Sequence, residues 1–329
     1  MKIAFLVTRI EKPGSRYRVL QYIPILKKEG YKADVFVIPK NLRSRSQLFR
    51  KMRDFDIVFL YKKLLNFVEL HLLRKNSKHL IYDFDDAVMF RDSKHNHQVS
   101  GSRMTKFIRT IKNADVVIAG NEYLKMFSVK ENPKTFVIPT SIDINRYTEK
   151  PKDKESNSLI IGWIGSKSTL FYLENMKYVW DKIFELFPFV SLKIIADTFF
   201  DCLKMPVIKK PWSYEDEIED LHTFDIGLMP LTDDPWSRGK CGFKLLQYMA
   251  VGIPPVCSPI GTNRDIVNDG KNGFWAMEEH EWIKKIGYLI KNPELRLQMG
   301  EKARETVIKN FSADLNIKKL IHLFSINNP

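Results

Sequence analysis

Cysteine is scarce in this chain of 329 residues. Cys202, Cys241 and Cys257 are odd in number and never fall at CxxC spacing, so neither a disulfide framework nor a thiolate zinc site is expected. No run of 18 apolar residues occurs, which argues against a membrane-spanning helix. The opening MKIAFLVTRIEKPG offers only about six apolar residues before Arg9, too few for a secretory signal, and reads as a first buried strand. There is no GxGxxG, so no nicotinamide cofactor is inferred. The seven histidines form no metal-ligand set; His95 and His97 lie two apart in a loop. No internal repeat or low-complexity tract interrupts the chain. The expectation is a cytoplasmic protein without metal or cofactor.

What is present is length, apolar content and unevenly spread charge. A hydrophobic fraction of 44% with 28% charged residues is that of a soluble globular protein, and 329 residues suffice for two domains with separate cores. The net charge of +14 belongs to one half: residues 1–155 hold 32 Lys and Arg against 17 Asp and Glu, and the remainder 21 against 22. A half so charged suits an anionic partner, lipid surface or polymer. The runs RSRSQLFRKMR (43–53) and YKKLLNFVELHLLRK (61–75) mix basic and apolar residues at helical spacing, as helices lying on anionic lipid do. The alternative is that their apolar stripes pack on a sheet. Nucleic acid is not expected, because no recognition motif accompanies the charge.

Short apolar runs alternate with helical patterns. Strands are expected at 3–7, 33–38, 56–60, 80–82, 116–119 and 136–138, and, after the charged stretch YTEKPKDKESNS, at 159–165, 192–197, 225–230 and 256–257. Such alternation predicts parallel sheets covered by helices, and α/β sheets bind ligands beyond the carboxyl ends of their strands. Residues 293–329 read as mostly helical, with a face packed on the rest.

Four stretches carry candidate chemistry. In KCGFKLLQYMAVGIPPVC (240–257), helical spacing is opened by Gly242 and stopped by Gly252 and Pro254. Lys240 and Lys244 then sit at a positive helix end, suited to phosphate, unless they are a solvated pair. Gly165 and Ser166, in GSKST, open another helix whose free N–H groups and hydroxyls suit phosphate, a plain N-cap being the alternative. In HLIYDFDDAVMF (79–90), Asp83, Asp85 and Asp86 cluster at a strand end; they orient substrate hydroxyls or simply bond local N–H groups or lysines. In KPGSRYR, Gly14 lets backbone approach a ligand whose phosphate Arg16 and Arg18 grip together, unless the arginines are surface residues.

These segments together resemble family 4 glycosyltransferases, retaining sugar transferases of the GT-B fold. RGKCGFKLLQYMAVGIPPVCSPIGTNRDIVNDGKNGFWA resembles the family's donor-binding segment, LIIGWIGSKST its C-terminal opening strand and loop, and FDIGLMPL the strand before the donor helix. GSRYRVLQYIPILKKEGYKADVF and VIPTSIDINRY resemble its first loop and helix and the close of its N-terminal domain. The resemblance implies two Rossmann-like parallel-sheet domains facing each other across a cleft: an acceptor domain at 1–150, a linker at 151–158, a donor domain at 159–305, and a terminal helix at 306–329 returning to the first domain.

By the same resemblance, the chain transfers a hexose from a nucleotide-diphosphate sugar to a glycan or lipid-linked acceptor in polysaccharide biosynthesis, without metal, at the inner face of the membrane. Lys240, Lys244, Gly165 and Ser166 hold the diphosphate, Gln247 the ribose, and Asp85 the reacting centre. Gly14, Arg16, Asp83, Asp86, Asp233 and Asp234 are possible sugar or acceptor contacts. The sequence also departs from the family. The family's glutamate pair is replaced by Gly239 and Gln247, its Arg-and-Lys pair is missing, and Asp85 stands where many members place a histidine. Two other readings of DFDDA, a metal-binding DxD and a phosphatase strand, conflict with the surrounding pattern. The departures keep two rivals open, a non-catalytic GT-B scaffold binding nucleotide-sugar or glycan, and a GT-B sugar-nucleotide epimerase.

Overall fold

The computed structural model describes residues 1–151 and 158–326; the expected linker lies almost wholly outside them. The chain divides into two compact units, Met1–Ser141 with Asp234–Cys241 and Ala313–Pro329, and Ile142–Asp233 with Gly242–Ser312.

The first unit is built on six parallel strands, β1 (Lys2–Val7), β2 (Lys32–Val37), β3 (Ile57–Tyr61), β4 (His79–Phe84), β5 (Val116–Ala119) and β6 (Thr135–Val137), in the order β2-β1-β3-β4-β5-β6. The middle strands are buried along almost their whole length, as a parallel sheet covered on both faces requires. Alternate residues serve different cores. Ala4, Leu6, Val58, Leu60 and Tyr82 pack with Phe49, Leu70, Leu73 and Phe107. Ile3, Phe5, Ile57, Phe59 and Ile81 pack with Val19 and Leu26, and with Ile317, Leu320 and Phe324 of the helix Ala313–Ile326.

The second unit repeats the plan with β7 (Leu159–Ile164), β8 (Val190–Ala196), β9 (Val207–Pro211), β10 (Ile226–Met229), β11 (Pro255–Cys257) and β12 (Phe274–Trp275), ordered β12-β11-β10-β7-β8-β9 and again parallel. Trp163, Trp180, Ile194, Leu228 and Trp282 centre its core. In each sheet the strand order reverses beside the first strand, between β1 and β3 and between β7 and β10. Ligands of open α/β sheets bind at such switch points.

Several local expectations shift. Residues 61–75 are not one helix: β3 ends at Tyr61, and Asn66 starts the helix Phe67–Lys75 through a capping box with Glu69. Its Leu70 and Leu73 face the core while Phe67 and Val68 stay exposed. β9, VIKKP, was not legible, because an edge strand half-open to solvent carries Lys and Pro in place of an apolar run. The C-terminal stretch is two helices, Pro293–Phe311 and Ala313–Ile326, broken where Ser312 turns extended. The unit boundary falls at 141/142 rather than 150, since Ile142 N–H bonds Phe311 C=O and Tyr147 is buried within the second unit.

Candidate functional site

At the switch point of the second unit, β7 delivers Trp163 and Gly165, and the helix Phe243–Ala250 delivers Lys244 on its first turn. That helix begins at Gly242, whose φ of 67° and crowding against Ile266 leave no place for a side chain. The Lys244 ammonium lies 5.3 Å from the centroid of the Trp163 ring, and a Cβ on Gly165 would come within 2.9 Å of Lys244 Cε and 2.3 Å of the Trp163 ring. Glycine at 165 thus lets the lysine stem and the indole close on the strand end. The next helix, Lys167–Glu174, starts at Ser166, whose Oγ is 2.9 Å from Ser168 Oγ. Its Lys167 N–H already donates to Asp197 at 2.6 Å.

Gln247 is buried, and its Nε2 donates to Tyr147 Oη at 3.4 Å. The Tyr147 hydroxyl donates in turn to Glu217, which also accepts from Trp212 Nε1 at 2.8 Å and lies 3.7 Å from Arg146. Arg146 stacks on Tyr214, 3.5 Å from its ring centroid. Neither Glu217 nor Tyr147 is a site candidate in the sequence reading. Ser213 Oγ does accept from Asp216 N–H, at 3.0 Å.

The first unit gathers a different chemistry at its strand ends. Asp83, at the end of β4, is buried and takes a bidentate contact from Arg18, with Nε at 3.0 Å. Burial opposes charge on Arg18, but Asp83 outweighs it and raises the arginine's pKa. Asp85 accepts from Tyr61 Oη at 2.8 Å and lies 3.3 Å from Lys62 Nζ. Asp86 pairs with Lys62 and, at 3.4 Å, with Lys240. Burial raises the pKa of Asp86, yet Lys240 and then Lys62 prevail and hold it at about 2. Gly14 sits against this group: a Cβ there would meet the Tyr61 hydroxyl at 2.1 Å and lie 3.5 Å from Asp85 Oδ2. Lys62 has φ 60°, the one non-glycine residue with positive φ among the described residues. Lys63 N–H closes a tight turn around it onto Tyr61 C=O at 2.7 Å.

The sequence candidates are shared between the two units. Lys240 precedes the helix and belongs to the first unit with Asp85 and Asp86, whereas Lys244, Gly165, Ser166 and Gln247 belong to the second. Asp234 caps the short helix Pro235–Arg238 by accepting from Ser237 N–H at 2.8 Å, and Asp233 is exposed at the edge of the second unit. Arg16 lies 5.1 Å from the Tyr17 ring centroid. Gly239 packs tightly: a Cβ would lie 2.6 Å from Ala87 Cβ and 2.9 Å from Ala87 N. His95 bonds Asp92 at 2.9 Å. Among the described residues, no group of three His, Cys, Asp or Glu could hold a metal ion, and no helix is long and apolar enough to cross a membrane.

Residues 213–306 match the family model described as glycosyl transferases group 1. The chain carries a group 1 glycosyltransferase segment on a GT-B fold. An uncharacterized glycosyltransferase of Haemophilus influenzae is 23% identical over 303 residues, 88% of this chain and 80% of that one. Trehalose synthase of Pyrococcus horikoshii is 30% identical over 88 residues, which is 27% of this chain but only 21% of that relative's length. Among solved structures, Anabaena HepE in complex with UDP and glucose superposes with a TM-score of 0.75 at 16% identity, covering 99% of both chains. The glycosyltransferase match spans Lys240, Lys244 and Gln247 as well as Glu217. Glu217 escaped notice because one acidic residue in SYEDEIED carries no mark of burial. The strand runs one residue past the expected end, to Tyr61, which brings Tyr61 and Lys62 to the strand end.

Proposed function

We propose that the chain transfers a sugar from a nucleotide-diphosphate sugar to an acceptor hydroxyl, with retention at the anomeric carbon and without a metal. The observation that carries this reading is the second unit's switch point, where Lys244 is held against Trp163 and Gly165 on the first turn of a helix. As the sugar–phosphate bond lengthens, charge grows on the departing diphosphate. A fixed ammonium and oriented N–H groups stabilise that charge more in the transition state than in the ground state. Gly165 and Ser166 place the second helix start beside it, and Gln247 bonds the ribose hydroxyls. A nucleotide-sugar donor is in keeping with HepE, which shares the fold and was solved in complex with UDP and glucose.

Asp85 orients the reacting hydroxyls. Tyr61 donates to its Oδ1, and glycine at position 14 leaves the approach to Oδ2 clear of a side chain. The acceptor is a glycan or a lipid-linked sugar held by the basic first unit, and the enzyme works at the inner face of the membrane. Lys240, with Asp86 as its partner, is here an acceptor-side residue. A non-catalytic nucleotide-sugar-binding protein is the second reading, favoured by the packing at Gly239, which excludes a carboxylate there.

The test is nucleoside-diphosphate release across UDP-, GDP-, ADP- and TDP-sugars with sugar acceptors. One nucleotide class is turned over by the wild type. Lys244→Ala lowers kcat about a hundredfold or more, and Asp85→Asn lowers kcat while leaving nucleotide affinity unchanged. Nucleotide binding without turnover, for any donor, establishes the second reading instead.

A further inference from the structure

We infer that the carboxyl edge of the first sheet is a phosphoryl-binding subsite: Lys62 and Lys240, which meet at Asp86, and Lys12 on the adjoining loop take a phosphate or diphosphate carried by the acceptor. This rests on the glycosyl-transfer reading and names the acceptor's chemical class. Three observations point there.

The first is position. The loops after β1 and β3 flank the switch point of the sheet, and they are the loops that carry Lys12 and Lys62. Contact between them is direct, since Gly14 abuts Tyr61 and Asp85.

The second is charge balance. Asp83 is matched by Arg18 within the fold, so Asp85 and Asp86 are the two carboxylates left at the edge. Against them stand Lys62 and Lys240, both in contact with Asp86, and Lys12. Lys12 is lowered in pKa by partial desolvation, then by Lys62 and Arg9, with Lys63 adding to the same effect and Asp86 opposing it. Positive charge is in excess, and the exposed Lys12 is where a further anion meets the least opposition.

The third is backbone strain. A left-handed lysine costs on the order of 1 kcal/mol or more, and the turn that imposes it aims Lys62 Nζ at both carboxylates. A sheet edge that needed only to satisfy two aspartates has no use for a strained turn and a third lysine.

The experiment is a thermal-shift titration of the full chain with inorganic phosphate and with pyrophosphate, in the presence of saturating UDP so that the donor side is filled. A ligand of the folded state raises the melting temperature by mass action. The expected result is a further rise in wild type and about tenfold weaker anion affinity in Lys12→Ala, with Lys12→Arg restoring it and UDP affinity unchanged in both. Lys12 is exposed, and the melting temperature without anion verifies that the variants fold. Cosedimentation with phosphatidylcholine vesicles containing phosphatidic acid, lost in Lys12→Ala, identifies a lipid-borne phosphate. A phosphate shift without cosedimentation identifies a soluble one. Absence of any phosphate or pyrophosphate effect overturns the subsite, and so does loss of UDP binding in Lys12→Ala, which would make this lysine a donor ligand. Failure of UDP to bind the wild type at all is read separately and counts against the glycosyl-transfer reading, because the anion titration without UDP still reports on Lys12.

Discussion

The two sheets share a strand plan but end in opposite chemistry. At the switch point of the first, three carboxylates are held in ion pairs, Asp83 with Arg18, Asp85 and Asp86 with Lys62, and Asp86 also with Lys240. At the switch point of the second, a lysine rests on an indole beside glycine and hydroxyls, with the nearby carboxylate Asp197 turned to a backbone N–H. One fold thus supplies two kinds of strand end. The first interleaves carboxylates and lysines in ion pairs; the second sets its lysine against an aromatic ring at a helix start. In the proposed reading, acceptor chemistry on one unit and donor chemistry on the other rest on that contrast, not on the fold itself.

The contrast can be broken most severely at Arg18. Removing one partner of a buried bidentate pair strands the other charge, so Arg18→Ala is expected to cost about 3–5 kcal/mol in chemical denaturation. The next effect in size concerns position 239. Restoring a glutamate there, Gly239→Glu, drives Cβ into the Ala87 backbone and costs about 1–3 kcal/mol, read as a fall in melting temperature. It therefore cannot rebuild a family-like carboxylate on this backbone.

Asp86 gives the first unit a pH signature. Its folded pKa of about 2 lies below the ordinary 3.8, so the ionised carboxylate stabilises the fold above pH 3.8. That contribution, about 2 kcal/mol, is lost as pH falls from 3.8 towards 2. Acid denaturation of Asp86→Asn should lack that component. The smallest effect is at Asp234. As a helix cap its loss in Asp234→Ala costs about 1 kcal/mol with nucleotide affinity unchanged, whereas a sugar contact would show in KM.

How far the sequence could be read follows the same division. Buried strands were legible because a doubly covered parallel strand is apolar throughout: Ile3, Phe5, Val58 and Ile81 need no partner to be recognised. The helix 243–250 was legible because Gly242 and Gly252 mark both ends. Pairings were not. Nothing local tells that Asp83 belongs to Arg18, 65 residues away, or that Lys240 turns to Asp86. Glu217 is nearly fully buried, yet it is one of several acidic residues in its stretch, and its role depends on Tyr147. The first unit's candidate site is built from such long-range pairs, so its members could be nominated from strand-end position but not arranged. The second unit's cluster lies on one strand end and one helix turn, and more of it was visible.

The central claim, that the second unit binds the nucleotide diphosphate through Lys244, is tested most directly by titrating UDP and GDP against the wild type, Lys244→Ala and Asp85→Asn while following the melting temperature. The account predicts that one diphosphate raises the melting temperature of the wild type and of Asp85→Asn, and that the rise disappears in Lys244→Ala. An unchanged rise in Lys244→Ala would contradict it.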